Sequence, residues 1–267
     1  MASPKKPDGL TIFSIVVTIL IIVPIAFILV YGFAVYHSSI GFSSIVFKSI
    51  ALTIFSSAIA AFIVFLLFTP LAYHISRSSS SAMETISDIP ASIPHPIVGI
   101  AFLLVVSPLT PFGRFLISIG LGLFDSIPGL VTALAFVSAP VYIRAAQSVF
   151  SQNPPEPEIL AMGFGLSRIK TLYRVVVPNS ARLLFSATLT SMSRAISEFG
   201  SIAIIAYVIL QFPFAGVMPA SVLIYQFFGY YGLGPAVTAS AVMIVISIIV
   251  LLISRFIKGI GNNRSGV

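Results

Sequence analysis

The chain has no cysteine and no tryptophan, and only 8% of its 267 residues are charged. Lack of cysteine excludes a secreted disulfide scaffold. Lack of charge excludes a soluble shell, because 58% of the residues are hydrophobic, against roughly 45–50% in soluble domains. Mean hydropathy is +1.10. Lipid must be the solvent for much of this chain, so an ordinary cytosolic enzyme and a disordered polymer are also excluded. Acids are the scarcest charges: 7 Asp+Glu face 14 Lys+Arg, for a net charge of +7.

Catalytic patterns are missing too. No lysine follows a glycine, so no phosphate-binding loop of the Gly-Lys type exists. His37, His74 and His95 are scattered and offer no metal-ligand spacing. There is no Gly-x-Ser-x-Gly nucleophile elbow. No resident cofactor or metal is expected. If the protein moves something uphill, a partner or an ion gradient must supply the energy.

What is present is a series of apolar runs, at residues 10–36, 50–75, 93–107, 127–150, 183–210 and 237–257. A bilayer span takes about 20 residues, so the length suits five to seven spans. The reading is an all-α, polytopic membrane protein of about six transmembrane helices, with a further interfacial or re-entrant piece near 221–231. The third run carries Pro94, Pro96 and Gly99 and can enter as a broken helix. Residues 1–9 and 259–267 read as solvated tails, residues 78–81 as a polar turn, and 10–258 as one membrane domain.

Lys and Arg mark the cytoplasmic side. With both termini inside, the inner segments hold Lys5, Lys6, Arg77, Arg168, Lys170, Arg174, Arg182, Arg255, Lys258 and Arg264, and the outer loops only Lys48 and Arg114. The positive charge is thus a topology signal, not a nucleic-acid surface, and the location is the cell membrane. The aromatic cluster of Tyr225, Phe227, Phe228, Tyr230 and Tyr231 suits an outer interface belt, with ligand stacking as the alternative.

The inner segment at about 154–180 is the most structured of the loops. Glu156, Pro157 and Glu158 suit a helix start, Gly163 and Gly165 a stop, Ser167 a second cap, and Pro178 the end of the second helix. Lying flat on the inner leaflet is the simple reading. Two short helices about a glycine turn make a better peg for a socket on another protein.

That peg resembles the EAA loop of ABC-transporter permeases, the coupling element that docks into the ATPase. Gly165 and Pro178 keep the motif's thirteen-residue spacing, and Ala161 holds an alanine position. Ile159 stands where the motif has its glutamate, with Glu158 one residue before it, and Leu160 replaces the first alanine. Residues 93–103 resemble the third helix of oxyanion permeases. Arg194-Ala-Ile-Ser-Glu-Phe-Gly200 resembles their fifth-helix motif, in the form most similar to molybdate/tungstate permeases. Sulfate permeases are the near alternative. The resemblance implies the ABC importer permease fold, a homodimer of permeases, two ABC ATPase subunits that bind ATP-Mg, and an extracellular oxyanion-binding protein. It implies ATPase coupling through Glu158, Ala161, Gly165, Arg168, Lys170, Arg174 and Pro178.

Helix five is unusual on its own residues. Ser186, Thr190, Ser193, Ser197 and Ser201 recur at helical spacing and form a hydroxyl stripe. Such a stripe either packs helices closely or lines a pathway whose hydroxyls bond an oxyanion. Arg194 and Glu198 lie one turn apart beside it. A charge within the bilayer costs about 3 kcal/mol, so each needs a partner. A bare carboxylate would repel a dianion by roughly 4 kcal/mol per unit charge at about 4 Å. Glu198 therefore reads as a partner for Arg194 or for backbone donors at a bend near Gly200, or as a purely structural pair. Ser193, Arg194, Ser197, Glu198, Gly200 and Ser201 are the candidate pathway or gate. An ion-coupled secondary transporter stays open as a different class. It would use Glu198, the one clear mid-span acid, but no internal repeat supports it.

Overall fold

The computed structural model describes residues 8–78 and 81–262, with side chains as far as residue 253. Lys5, Lys6, Arg264, Ser79, Ser80 and the side chains of Arg255 and Lys258 lie outside the described residues. So do most of both tails.

Among the described residues all regular elements are helical. They are α1 (Gly9–Val30), α2 (Ser44–Ser78), α3 (Ser81–Ser92), α4 (His95–Val105), α5 (Pro111–Ser118), α6 (Ile127–Gln152), α7 (Glu156–Gly163), α8 (Arg168–Thr171), α9 (Val177–Ile196), α10 (Ile202–Ile205), α11 (Ala220–Tyr231) and α12 (Leu233–Asn262). Among the described residues four helical stretches are long and apolar enough to cross a membrane: Gly9–Tyr36, Ser44–Ser78, Ile127–Gln152 and Leu233–Ile253. The pair α3 and α4 makes a fifth if counted as one broken span, bent by 101°. The interruption falls at Pro94 and Pro96, where proline removes backbone donors and disfavours helix before it. The piece expected near 221–231 is helical, as α11.

Two expectations change in the fifth span. The apolar run reaches residue 210, but α9 stops at Ile196, and Ser201 is not on its face. Pro178 does not end the second short helix either. It sits in the first turn of α9, directly after a π-turn. A π-turn at Leu172–Val176 joins α8 to α9, with the Val177 N–H bonded to the Leu172 carbonyl, so the helical path is continuous.

The chain forms two compact units. In the first (Met1–Phe47 with Ile224–Ser247), α1 has no buried residue and is apolar all round, as a lipid-facing helix should be. Asp8 caps it: the Thr11 hydroxyl and amide both donate to the Asp8 carboxylate and hold its pKa below the ordinary value. Close packing appears after α1, at Gly32, where a Cβ would lie 2.5 Å from that of Ala241.

In the second unit (Lys48–Leu223 with Ile248–Val267), α6 is the central helix, with half its residues buried. Ser126 caps it by accepting from the Gly129 N–H at 3.0 Å. Its C-terminal half packs with α2 and α9 in a core of Tyr73, Tyr142, Phe150, Leu172 and Leu184. Burying such side chains stabilises by about 1.5–3 kcal/mol each. This core holds one end of α2 beside α7 and α8, which positions the first candidate site.

Candidate functional site

The peg is built as a turn between short helices. Pro157 and two acids sit in the first turn of α7, and Gly165 adopts φ +88°, which a side chain would resist. Ser167 takes the extended conformation of a cap without a side-chain hydrogen bond. Ile159, Leu160, Phe164 and Ile169 point outward, and Phe164 is 79% exposed. Arg168, Lys170 and Arg174 are exposed among them, and Ala161 is half-buried.

Glu158 faces the other way and is only 5% exposed. Arg77, at the end of α2, grips it with both sides of its guanidinium: Nη2 to Oε1 at 2.5 Å and Nε to Oε2 at 3.2 Å. The Tyr73 hydroxyl donates to Oε2 at 2.7 Å. Bidentate, desolvated pairs of this kind are the strong ones. Arg77 Nη2 also donates to the Asn153 carbonyl, and Asn153 Nδ2 to Ser180 Oγ at 2.6 Å, which ties both ends of the peg together.

The second site lies where α9 stops. Ser197 leaves the helix, and Glu198 turns its carboxylate inward, 1% exposed. Its Oε1 accepts from the Ser201 amide and hydroxyl, both at 2.9 Å. Its Oε2 meets Arg194 Nη2 at 3.1 Å and His95 Nδ1 at 2.8 Å. Four donors, and the nearby N-terminus of α4, offset the burial of this charge. Arg194 Nη2 also lies 2.9 Å from His95 Nε2. The same Arg194 nitrogen lies 3.0 Å from His95 Nδ1, so it sits against both ring nitrogens, and a proton on Nδ1 would serve the contact with Glu198.

Glycines set the spacing. A Cβ on Gly200 would lie 2.9 Å from His95 Cβ and from Pro96 Cδ, and one on Gly99 2.6 Å from the Ser201 carbonyl. Gly200 thus serves close packing and does not adopt a left-handed bend. The carboxylate of Glu198 is fully engaged, while Arg194 and His95 stay about a quarter exposed.

Of the hydroxyl stripe, Thr190 and Ser193 bond the carbonyls one turn back and Ser197 bonds that of Arg194. Ser186 is buried and Thr190 and Ser197 are exposed, so they do not form one uniform face.

The sequence reading missed several partners. Tyr73, Arg77 and His95 are 81 to 103 residues from the acids that they meet. Glu84 and Asp88 on α3 both pair with Arg144 of α6. Their four-residue spacing was the available signal, since it puts both on one face. Among the described residues no group of His, Asp and Glu comes together to hold a metal.

Solved structures share this fold. The chain superposes on a chain of the MetNI methionine ABC transporter with TM-score 0.55 at 17% identity, covering 88% of this chain and 97% of that one. A bacterial ABC transporter that imports the acidic polysaccharide alginate gives 0.54 at 18%, covering 97% and 99%. The chain belongs to the family of binding-protein-dependent transport system inner membrane components, whose model matches residues 69–259. It is a multi-pass permease subunit of an ABC transporter, not an enzyme; in such transporters a separate ATPase subunit binds the nucleotide, and a substrate-binding partner takes part.

Among its relatives, the molybdate/tungstate transport system permease protein WtpB of Pyrococcus furiosus is 28% identical over 222 residues, 82% of this chain and 81% of that protein. The protein of the same name from Thermococcus kodakarensis is 30% identical over 217 residues, covering 80% and 79%. The sulfate transport system permease protein CysT of a Synechocystis strain is 27% identical over 176 residues, covering 66% and 60%.

Proposed function

We propose that the protein is the permease of an importer for a tetrahedral oxyanion, molybdate or tungstate. The observation that carries this reading is similarity across four fifths of the chain to permeases named for those anions. It works as a homodimer with two ATPases, which bind ATP-Mg, and an extracellular binding protein that delivers the anion. Both termini are cytoplasmic, as the distribution of Lys and Arg favours. The ATPase docks on residues 154–180, where Ile159, Leu160 and Phe164 offer an exposed apolar tip and Arg168, Lys170 and Arg174 the charges around it. Gly165 makes the turn of that tip, the Ala161 carbonyl accepts the Leu166 amide across it, and Pro178 lies in the first turn of the helix that leads into the membrane.

Ser193, Arg194, Ser197, Glu198, Gly200 and Ser201, with His95, form the gate. Glu198 and Ser201 hold the end of α9 against α4 at Gly200. Ser193, Ser197 and the exposed edges of Arg194 and His95 meet the anion. A station with no free carboxylate avoids repelling a dianion.

Sulfate is the second reading, favoured by similarity to CysT over 66% of the chain. Proteoliposomes holding the permease with its ATPase and binding protein decide between them. ATP-dependent uptake of labelled tungstate, competed by molybdate better than by sulfate, is expected. Preferential sulfate uptake reverses the choice, and uptake driven by an ion gradient without ATPase overturns both.

A further inference from the structure

We infer that α2 is a strut that links the ATPase dock to the Glu198 cluster, with Glu158–Arg77 and Thr53–Ala220 as its end joints. This rests on the reading of residues 154–180 as the dock.

The peg is joined by the chain itself only to α6 and α9. Its third link is Glu158, which turns away from the exposed tip and commits both oxygens to α2, through Arg77 and Tyr73. If α7 moved while α2 stayed, a carboxylate would be stranded where water hardly reaches. That cost makes α2 follow.

From Arg77 to Thr53 the helix runs 24 residues, about 36 Å at a rise of about 1.5 Å per residue. At that far end Thr53 Oγ1 accepts the amide of Ala220, the first residue of α11, at 2.9 Å. The next residue, Ser221, donates its hydroxyl to the Glu198 carbonyl at 2.7 Å. The weak point along the strut is Pro70, whose missing N–H breaks the ladder. It is braced there: Thr69 bonds the Phe65 carbonyl and meets the Tyr142 hydroxyl of α6 at 2.6 Å.

Arg77, Tyr73 and Thr53 are thus positioning residues that touch neither nucleotide nor anion. The strut gives the dock a route to Glu198 separate from α9.

The test compares Glu158→Gln, Thr53→Val, their double variant and the charge swap Arg77→Glu with Glu158→Arg. Proteoliposomes hold each permease with its ATPase and binding protein, and the readout is tungstate taken up per ATP hydrolysed. Both single variants should keep the ATPase through purification yet lose about tenfold in that ratio, within the usual range for coupling between sites. The double variant should lose no more than the worse single, and the swap should recover most of the loss. An unchanged ratio in either single, additive losses, or loss of the ATPase from Glu158→Gln overturns the strut. Failure of the dock reading shows separately: Phe164→Ala with Arg168→Glu would leave the ATPase bound. Sulfate serves as the probe if tungstate is not carried, so the choice of anion does not decide this test.

Discussion

Glu198 Oε2 lies 2.8 Å from His95 Nδ1, so the acid that follows α9 is tied to the first residue of α4, 103 positions away in sequence (198 − 95). The same oxygen takes Arg194. A break in one span is thereby locked to the break in another.

Loss of that lock should show in gating. Arg194→Ala leaves a buried carboxylate with His95 and Ser201 as its remaining partners. The expected cost is roughly 2–4 kcal/mol, somewhat reduced because Arg194 is partly exposed. Glu198→Gln keeps the donors near but removes the charge. Both should depress ATP-dependent uptake without changing the affinity of the isolated binding protein for its anion. Unimpaired uptake by Glu198→Gln would remove Glu198 from the gate.

Glycine substitutions should rank by what a new methyl group meets. Gly99→Ala drives it toward the Ser201 carbonyl at 2.6 Å, and backbone cannot step aside; Gly200→Ala meets His95 and Pro96 at 2.9 Å. Overpacking of this sort costs about 1–3 kcal/mol. Gly163→Ala meets nothing within 4 Å and should be tolerated. Thermal unfolding in detergent should place Gly99→Ala lowest and Gly163→Ala beside the unaltered protein.

The dock should depend on its apolar tip as well as its charges. Reversal of Arg168, Lys170 and Arg174 should weaken retention of the ATPase during purification, more strongly at low salt, where exposed charges are less screened. Phe164→Ala should weaken it at any salt, because it removes apolar burial worth roughly 1.5–3 kcal/mol if the ring is fully covered. Unchanged retention with both sets altered would mean that the ATPase sits elsewhere.

Arg144 holds two acids of α3 at once, Glu84 and Asp88. Arg144→Ala should destabilise by about 1 kcal/mol or more, the scale of partly exposed pairs in a network. Glu84→Gln should cost less, since Asp88 still holds the guanidinium. Melting temperatures of the two variants check the order, and a larger effect from Glu84→Gln would mean that α3 is held by something other than this arginine.

The sequence disclosed local features well. Gly165 and the acids around Pro157 act within a turn of themselves, so the peg could be read from its spacing. The break after Ile196 could not, because the apolar run continues through Ile202–Ile205 and hides the loop between them. What ends α9 is the Glu198 carboxylate capping Ser201, with distant His95 and Arg194 offsetting its charge. Arg77 looked like a topology marker, and its grip on Glu158 appears only once α2 and α7 are folded side by side. The same holds for Pro178: only the π-turn before it shows that the helical path runs on through that residue and does not stop.

Gly9–Val30, with nothing buried, carries oiliness and length but no shape. The family match begins at residue 69, well past it. Exchanges among Leu, Ile and Val on its exposed surface should therefore be tolerated. Its sequence is free to drift wherever lipid alone inspects it, while Gly99 and Gly200, each a methyl group away from a clash, are not.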